Sequence, residues 1–152
     1  MRYVLIDRIT ALVPGQSLAA IKNVSFADDL VTHYAPGLSA LPAAMVLEAM
    51  AQAAGLLVAA TLTAPAQPVL AKVQPFRAYG HARPGDCVGI RAEIEELRSE
   101  GCRAHVVSSI DGRPLADATI HLALIPLEGP TATARARILR TMLADTFPEW
   151  FK

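Results

Sequence analysis

Aromatic residues make up only 5% of this 152-residue chain, and 14 Lys plus Arg are balanced by 14 Asp plus Glu. Nucleic-acid surfaces need a basic stripe and rings on which bases stack, so this balance argues against a nucleic-acid partner. The chain has two cysteines, Cys87 and Cys102, and four histidines, none at a metal-ligand spacing, so no metal site is expected. Two unpatterned cysteines also point to free thiols in a reducing, cytoplasmic setting. The opening MRYVLIDRIT lacks the long apolar core of a secretory signal, so none is expected. No internal repeat and no linker-like stretch divides the chain, and its length suits one core.

One long apolar run dominates, Leu41–Leu62, LPAAMVLEAMAQAAGLLVAATL. Pro42 suits a first helical turn, where its missing N–H would be unsatisfied anyway. Between Pro42 and Ala60 only Glu48 and Gln52 are polar, and four residues apart they share one helix face. A bilayer span is long enough to match the run, but Glu48 would then sit near the membrane centre at a cost of about 3 kcal/mol. Pro42, Gln52 and Gly55 interrupt the run as well, so no membrane span is expected. A buried helix is the reading, and a carboxylate on it needs a partner, a cleft or neutralisation.

The flanks read as β structure. Tyr3–Val13 ends at the Pro14-Gly15 turn and Ser17–Phe26 follows as a second extended run. Ala27–Ala40 has no clear periodicity and reads as a loop leading into the helix. Pro65 and Pro68 close the helical region, and Val69–Gly80 is extended. Val88, Ile90, Ala92 and Ile94 alternate with polar or small residues, the period of a half-buried strand. Cys102–Ile110 returns after Ser99-Glu100-Gly101, Asp111-Gly112 is a hairpin signal, and Leu115–Ile125 alternates again. The fold class is therefore α+β: a curved antiparallel sheet over one apolar helix, in a domain spanning 1–126. Residues 127–152 form a C-terminal extension, with Thr131–Thr146 an amphipathic helix that packs on the body or a partner, or else offers a basic face or a lid.

One curved sheet covers only part of a helix that is apolar all round, so a twofold homodimer is expected, with any pocket at the subunit interface. The helix start, Pro42–Met45, offers backbone N–H groups and a partial positive charge suited to a thioester carbonyl and its enolate-like state. Glu48 lies one to two turns further on, and His33 lies in the preceding loop. An imidazole base and a carboxylic acid are the two parts that elimination of water requires. His81, His105 and His121 read as surface or strand histidines. Arg77, Arg83 and Arg103 read as scattered surface charges, with a basic mouth around the site as the alternative.

The stretch THYAPGLSALPAAMVLEAMAQAAGLL resembles the core motif of the β-hydroxyacyl-acyl-carrier-protein dehydratases, with LEAMAQAAG (Leu47 to Gly55) and Pro36-Gly37 as the closest parts. LIDRI, IKNVSF and Pro84-Gly85-Asp86 fall at matching places. The resemblance implies the hotdog fold, a homodimer or a trimer of dimers, and removal of water from a 3-hydroxyacyl thioester. It implies no cofactor beyond the phosphopantetheine that carries the substrate, on acyl carrier protein or coenzyme A. It further implies a catalytic His33 from one subunit, Glu48 from the other, a supporting Gln52, and a carbonyl-binding amide at Ala43 after Pro42. Counted back from Pro36-Gly37 without a gap, the family's His position falls on Tyr34, with His33 one residue early. Either Ala35 is an insertion and His33 is the base, or Tyr34 occupies the position and the base is lost. The alternatives are then a non-catalytic acyl-thioester binder or an acyl thioesterase in which Glu48 activates water.

Overall fold

The computed structural model describes residues 4–32, 37–63, 66–127, 141 and 144–150. The chain opens with β1 (Arg8–Val13), turns through Pro14-Gly15, where Gly15 has φ +78°, and returns as β2 (Ser17–Asn23) with Val13 opposite Ser17. The loop expected over Ala27–Ala40 contains a short helix, α1 (Asp29–Thr32). Its cause is local: the Asp28 carboxylate accepts the Ser25 N–H at 3.2 Å, and Val31 is fully buried. Asp28 also meets the ammonium of Lys22 at 3.2 Å, a lysine only 6% exposed, which ties the loop to β2.

The apolar run forms α2 (Ala43–Thr61), with Pro42 as its N-cap at φ −56° and ψ 143°, one position earlier than the first-turn place expected for it. Leu41 N–H donates to the Ala82 carbonyl at 2.8 Å, which pins the helix start to the chain ahead of the Pro84-Gly85 turn. Val46, Ala49, Met50, Ala53, Ala54, Leu57 and Val58 are buried against the sheet, at the spacing of one helical stripe. Truncating the wholly buried Leu57 to Ala would cost roughly 2–5 kcal/mol. The helix is long and apolar enough to cross a membrane by composition, but here it packs on five strands.

Beyond α2 come β3 (Ala66–Ala78), β4 (Cys87–Leu97), β5 (Gly101–Ile110) and β6 (Arg113–Pro126). All neighbours are antiparallel and the order across the sheet is β1-β2-β4-β5-β6-β3. The meander β4-β5-β6 follows the expected alternation: Val88, Ile90 and Ala92, then Ala116, Ala118, Ile120, Leu122 and Leu124, all face the core. Asp111 at φ +49° and Gly112 at φ +77° make the β5–β6 turn, the doubly left-handed geometry that Asp-Gly supplies. β3 does not join β4, its successor in sequence. α2 carries the chain across the concave face, so β3 pairs with β6 at the far edge, Leu70 opposite Leu122. Pro68, expected to close the helical region, sits inside β3, which an edge strand tolerates.

A six-stranded antiparallel sheet wrapped around one long helix is the hotdog arrangement. The helix expected at Thr131–Thr146 falls largely outside the described residues; Thr141 and 144–146 are helical. Just past it, Phe147 is 3% exposed against the core, and Trp150 Nε1–H donates to the Ile9 carbonyl at 3.0 Å.

Candidate functional site

The site grows from the face of α2 that the sheet leaves uncovered. Ala44 is exposed, and Leu47, Glu48, Gln52, Gly55, Leu56 and Ala59 are half-buried along that side. The helical spacing that the sequence suggested does bring Glu48 and Gln52 into contact: Gln52 Nε2 donates to Glu48 Oε1 at 3.0 Å. The other end of the same amide is also used, because Gln52 Oε1 accepts the Leu5 N–H at 2.8 Å. Gln52 is thus oriented by the backbone and in turn orients the carboxylate. Leu5 is a part of the site that sequence reasoning missed, and a backbone donor leaves no residue-type signal to find.

At the N-terminal end, Pro42 is buried and Ala43, the first helical residue, is half-buried. The first hydrogen bonds of the helix run from Met45 and Val46 N–H to the Pro42 carbonyl, at 2.8 and 3.1 Å. The Ala43 and Ala44 N–H groups precede them, at the positive end of the helix dipole. Ala43 lies about 7.5 Å along the axis from Glu48, by helical rise. Gly37 has φ +77°, a backbone state in which a side chain is strained. His33 and Tyr34 lie outside the described residues.

Beside Gln52 an open cavity of about 170 Å³ is lined along α2 by Gln52, Gly55, Leu56 and Ala59 and on its other sides by Val4, Ile6, Pro68 and Phe147. One amide and otherwise apolar walls suit a hydrocarbon. A larger hollow, about 610 Å³, lies on the outer side of the sheet between Tyr79, His105 and Asp117. Its acid is already engaged, by Tyr79 Oη–H at 3.0 Å and by Arg77 at 3.4 Å, and that hydrogen bond raises the Tyr79 pKa. Arg103 is likewise held by Glu95 at 3.0 Å and Glu96 at 3.7 Å. Arg77 and Arg103 are therefore surface ion-pair members, while His81 is exposed and His105 and His121 are half-buried strand residues, as expected.

The chain is thus a hotdog domain with a hydrogen-bonded carboxylate on its central helix and an apolar cavity beside it. The FabA-like domain model matches residues 1–119. The 3-hydroxyacyl-[acyl-carrier-protein] dehydratase FabZ of Ruminiclostridium cellulolyticum is 30% identical over 123 residues, which covers 80% of this chain and 87% of that one. The enzyme of the same name from Bordetella pertussis is 31% identical over 131 residues, covering 82% and 87%. This chain belongs to the FabA-like dehydratase family. Among solved structures, a Streptococcus mutans protein bound to acetyl CoA superposes with a TM-score of 0.68 at 13% identity, over 83% of this chain and 94% of that one. A hypothetical thioesterase of Streptococcus pneumoniae with coenzyme A gives 0.64 at 14% identity, over 78% and 85%. At such identities these two speak for the fold alone.

Proposed function

We propose that this protein removes water from a 3-hydroxyacyl thioester, carried on acyl carrier protein or coenzyme A, to give the trans-2-enoyl thioester. The observation that carries the reading is Glu48, fixed by Gln52 at 3.0 Å on the face of α2 that the sheet leaves open. In this reading His33 removes the α-proton while the Ala43 N–H, at the positive helix start, steadies the charge that moves onto the thioester oxygen. Glu48 then hands its proton to the departing 3-hydroxyl, which leaves as water, and the imidazolium returns a proton to the carboxylate. Pro42 and Gly37 shape the turn around the carbonyl, and Tyr34 flanks the base. The similarity to the FabZ dehydratases over most of the chain supports this assignment of roles.

The same reading makes the active unit a homodimer, with a trimer of dimers as a further assembly. β3 is an edge strand whose Val69 and Leu70 are 39% and 45% exposed, and the open face of α2 adjoins it through the Pro68 cavity. Two copies meeting there would cover both surfaces and bring His33 of one copy toward Glu48 of the other. Residues 127–152 are an extension to the 1–126 domain, and the exposed and buried free thiols, Cys87 and Cys102, suit a reducing cytoplasm.

The test is to incubate the purified protein with a 3-hydroxyacyl thioester and follow the enoyl product and free thiol together. Enoyl product is expected. Free thiol alone would make it a thioesterase, and neither product would make it an acyl-thioester binder. Tyr34→Phe should retain activity and His33→Ala should lose it; the reverse pattern would overturn the choice of base.

A further inference from the structure

We propose that Phe147, from the segment following the family-matched residues, is the floor of the acyl pocket and sets the longest chain accepted. This rests on the reading of the site as an acyl-thioester site. The family model ends at residue 119, yet Phe147 is buried in the core and lines the cavity alongside Gln52, Gly55 and Ala59. The cavity begins at the amide that holds Glu48, so a substrate reacting at that carboxylate has its tail directed down this stripe of α2. From Glu48 to Ala59 the stripe rises about 16 Å.

The placement of Phe147 is itself built. Trp150 N–H donates to the Phe147 carbonyl at 3.1 Å, and the Trp150 indole is tied to Ile9 of β1 at 3.0 Å. Trp150 is a positioning residue in this scheme: it holds the turn that aims the phenyl ring. Gly55 lines the same cavity from the helix, and a Cβ there would meet nothing within 4 Å, so there is room for a side chain at that position.

The experiment measures binding of unreactive S-alkyl pantetheine thioethers (butyl, octyl and dodecyl) by calorimetry, and in parallel kcat/KM for the matching 3-hydroxyacyl thioesters. Phe147→Ala should raise the dodecyl-to-butyl affinity ratio about tenfold, and Gly55→Leu should lower the octyl-to-butyl ratio by a similar factor. Trp150→Phe, which removes the indole donor and keeps a ring, should shift the ratio in the direction of Phe147→Ala but less. If Phe147→Ala does not fold, Phe147→Leu, a smaller apolar side chain at the same place, carries the test and should shift the ratio in the same direction by less. A ratio unmoved in the folded variants, or no thioether binding by the wild type, overturns the proposal. Chain-length-dependent binding without enoyl formation would sink the dehydratase reading and leave the pocket floor standing.

Discussion

Glu48 and Gln52 are joined at 3.0 Å across one turn of α2, and the far end of the Gln52 amide is held by the Leu5 backbone at 2.8 Å. Removing either side chain should therefore have separable effects. Glu48→Gln keeps the shape and removes the acid, so kcat should fall roughly 10²–10⁴-fold with the melting temperature nearly unchanged. Gln52→Ala leaves the Leu5 N–H without that acceptor and should cost about 1–3 kcal/mol in denaturant unfolding, with a smaller loss of rate. A Glu48→Gln enzyme with wild-type kcat would remove the carboxylate from the mechanism.

The exposed edge of β3 predicts how the assembly can be broken. Leu70→Asp puts a charge where a second copy is expected to pack, and should give monomers by light scattering at concentrations where the wild type is expected to be a dimer. Activity should vanish with the dimer if, as proposed, one copy contributes His33 and the other Glu48. An active monomer would contradict the shared site.

Lys22, which is buried, and Asp28, which is half-buried, form an ion pair at 3.2 Å in the segment that precedes His33 in sequence. Asp28→Ala strands the ammonium, leaving Asp7 at 4.0 Å as its one acidic partner among the described residues, and should cost about 2 kcal/mol or more. Lys22→Met removes the charge and keeps the apolar stem, so its cost should stay within about 1 kcal/mol. Urea midpoints for the two variants check this order; equal losses would mean the charge is not what holds the loop.

Cys102 is buried among apolar neighbours, and that burial pushes its thiol pKa from 9.0 up to about 11. The folded chain keeps the proton while the unfolded chain releases it, so this contribution is whole below pH 9 and is lost as pH rises toward 11. Cys102→Ala should flatten the decline of stability over that window. In the native protein at neutral pH a thiol reagent should titrate Cys87, which is exposed, and reach Cys102 only on unfolding. Two fast thiols in the native state would contradict the burial of Cys102.

Much of the fold was legible because its signals are local. Alternation in Val88–Ile94 and Ala116–Leu124 follows from the strand period, Asp111-Gly112 from the steric freedom of its turn, and the Glu48–Gln52 pair from helical spacing. The short helix α1 was not legible, since a four-residue segment carries too little periodicity; a carboxylate from Asp28 and the burial of Val31 stabilise it.

Amino-acid order alone determined that a carboxylate and an amide would ride together on an apolar helix, and that long alternating strands would follow it. Only tertiary structure decided that β3 would cross to the β6 edge, that a backbone N–H from Leu5 would orient Gln52, and that Phe147 would line the cavity beside it. The reason is range: spacing along a chain fixes which side chains share a face, whereas contacts across 47 residues or more depend on how elements dock, and no local pattern encodes that choice.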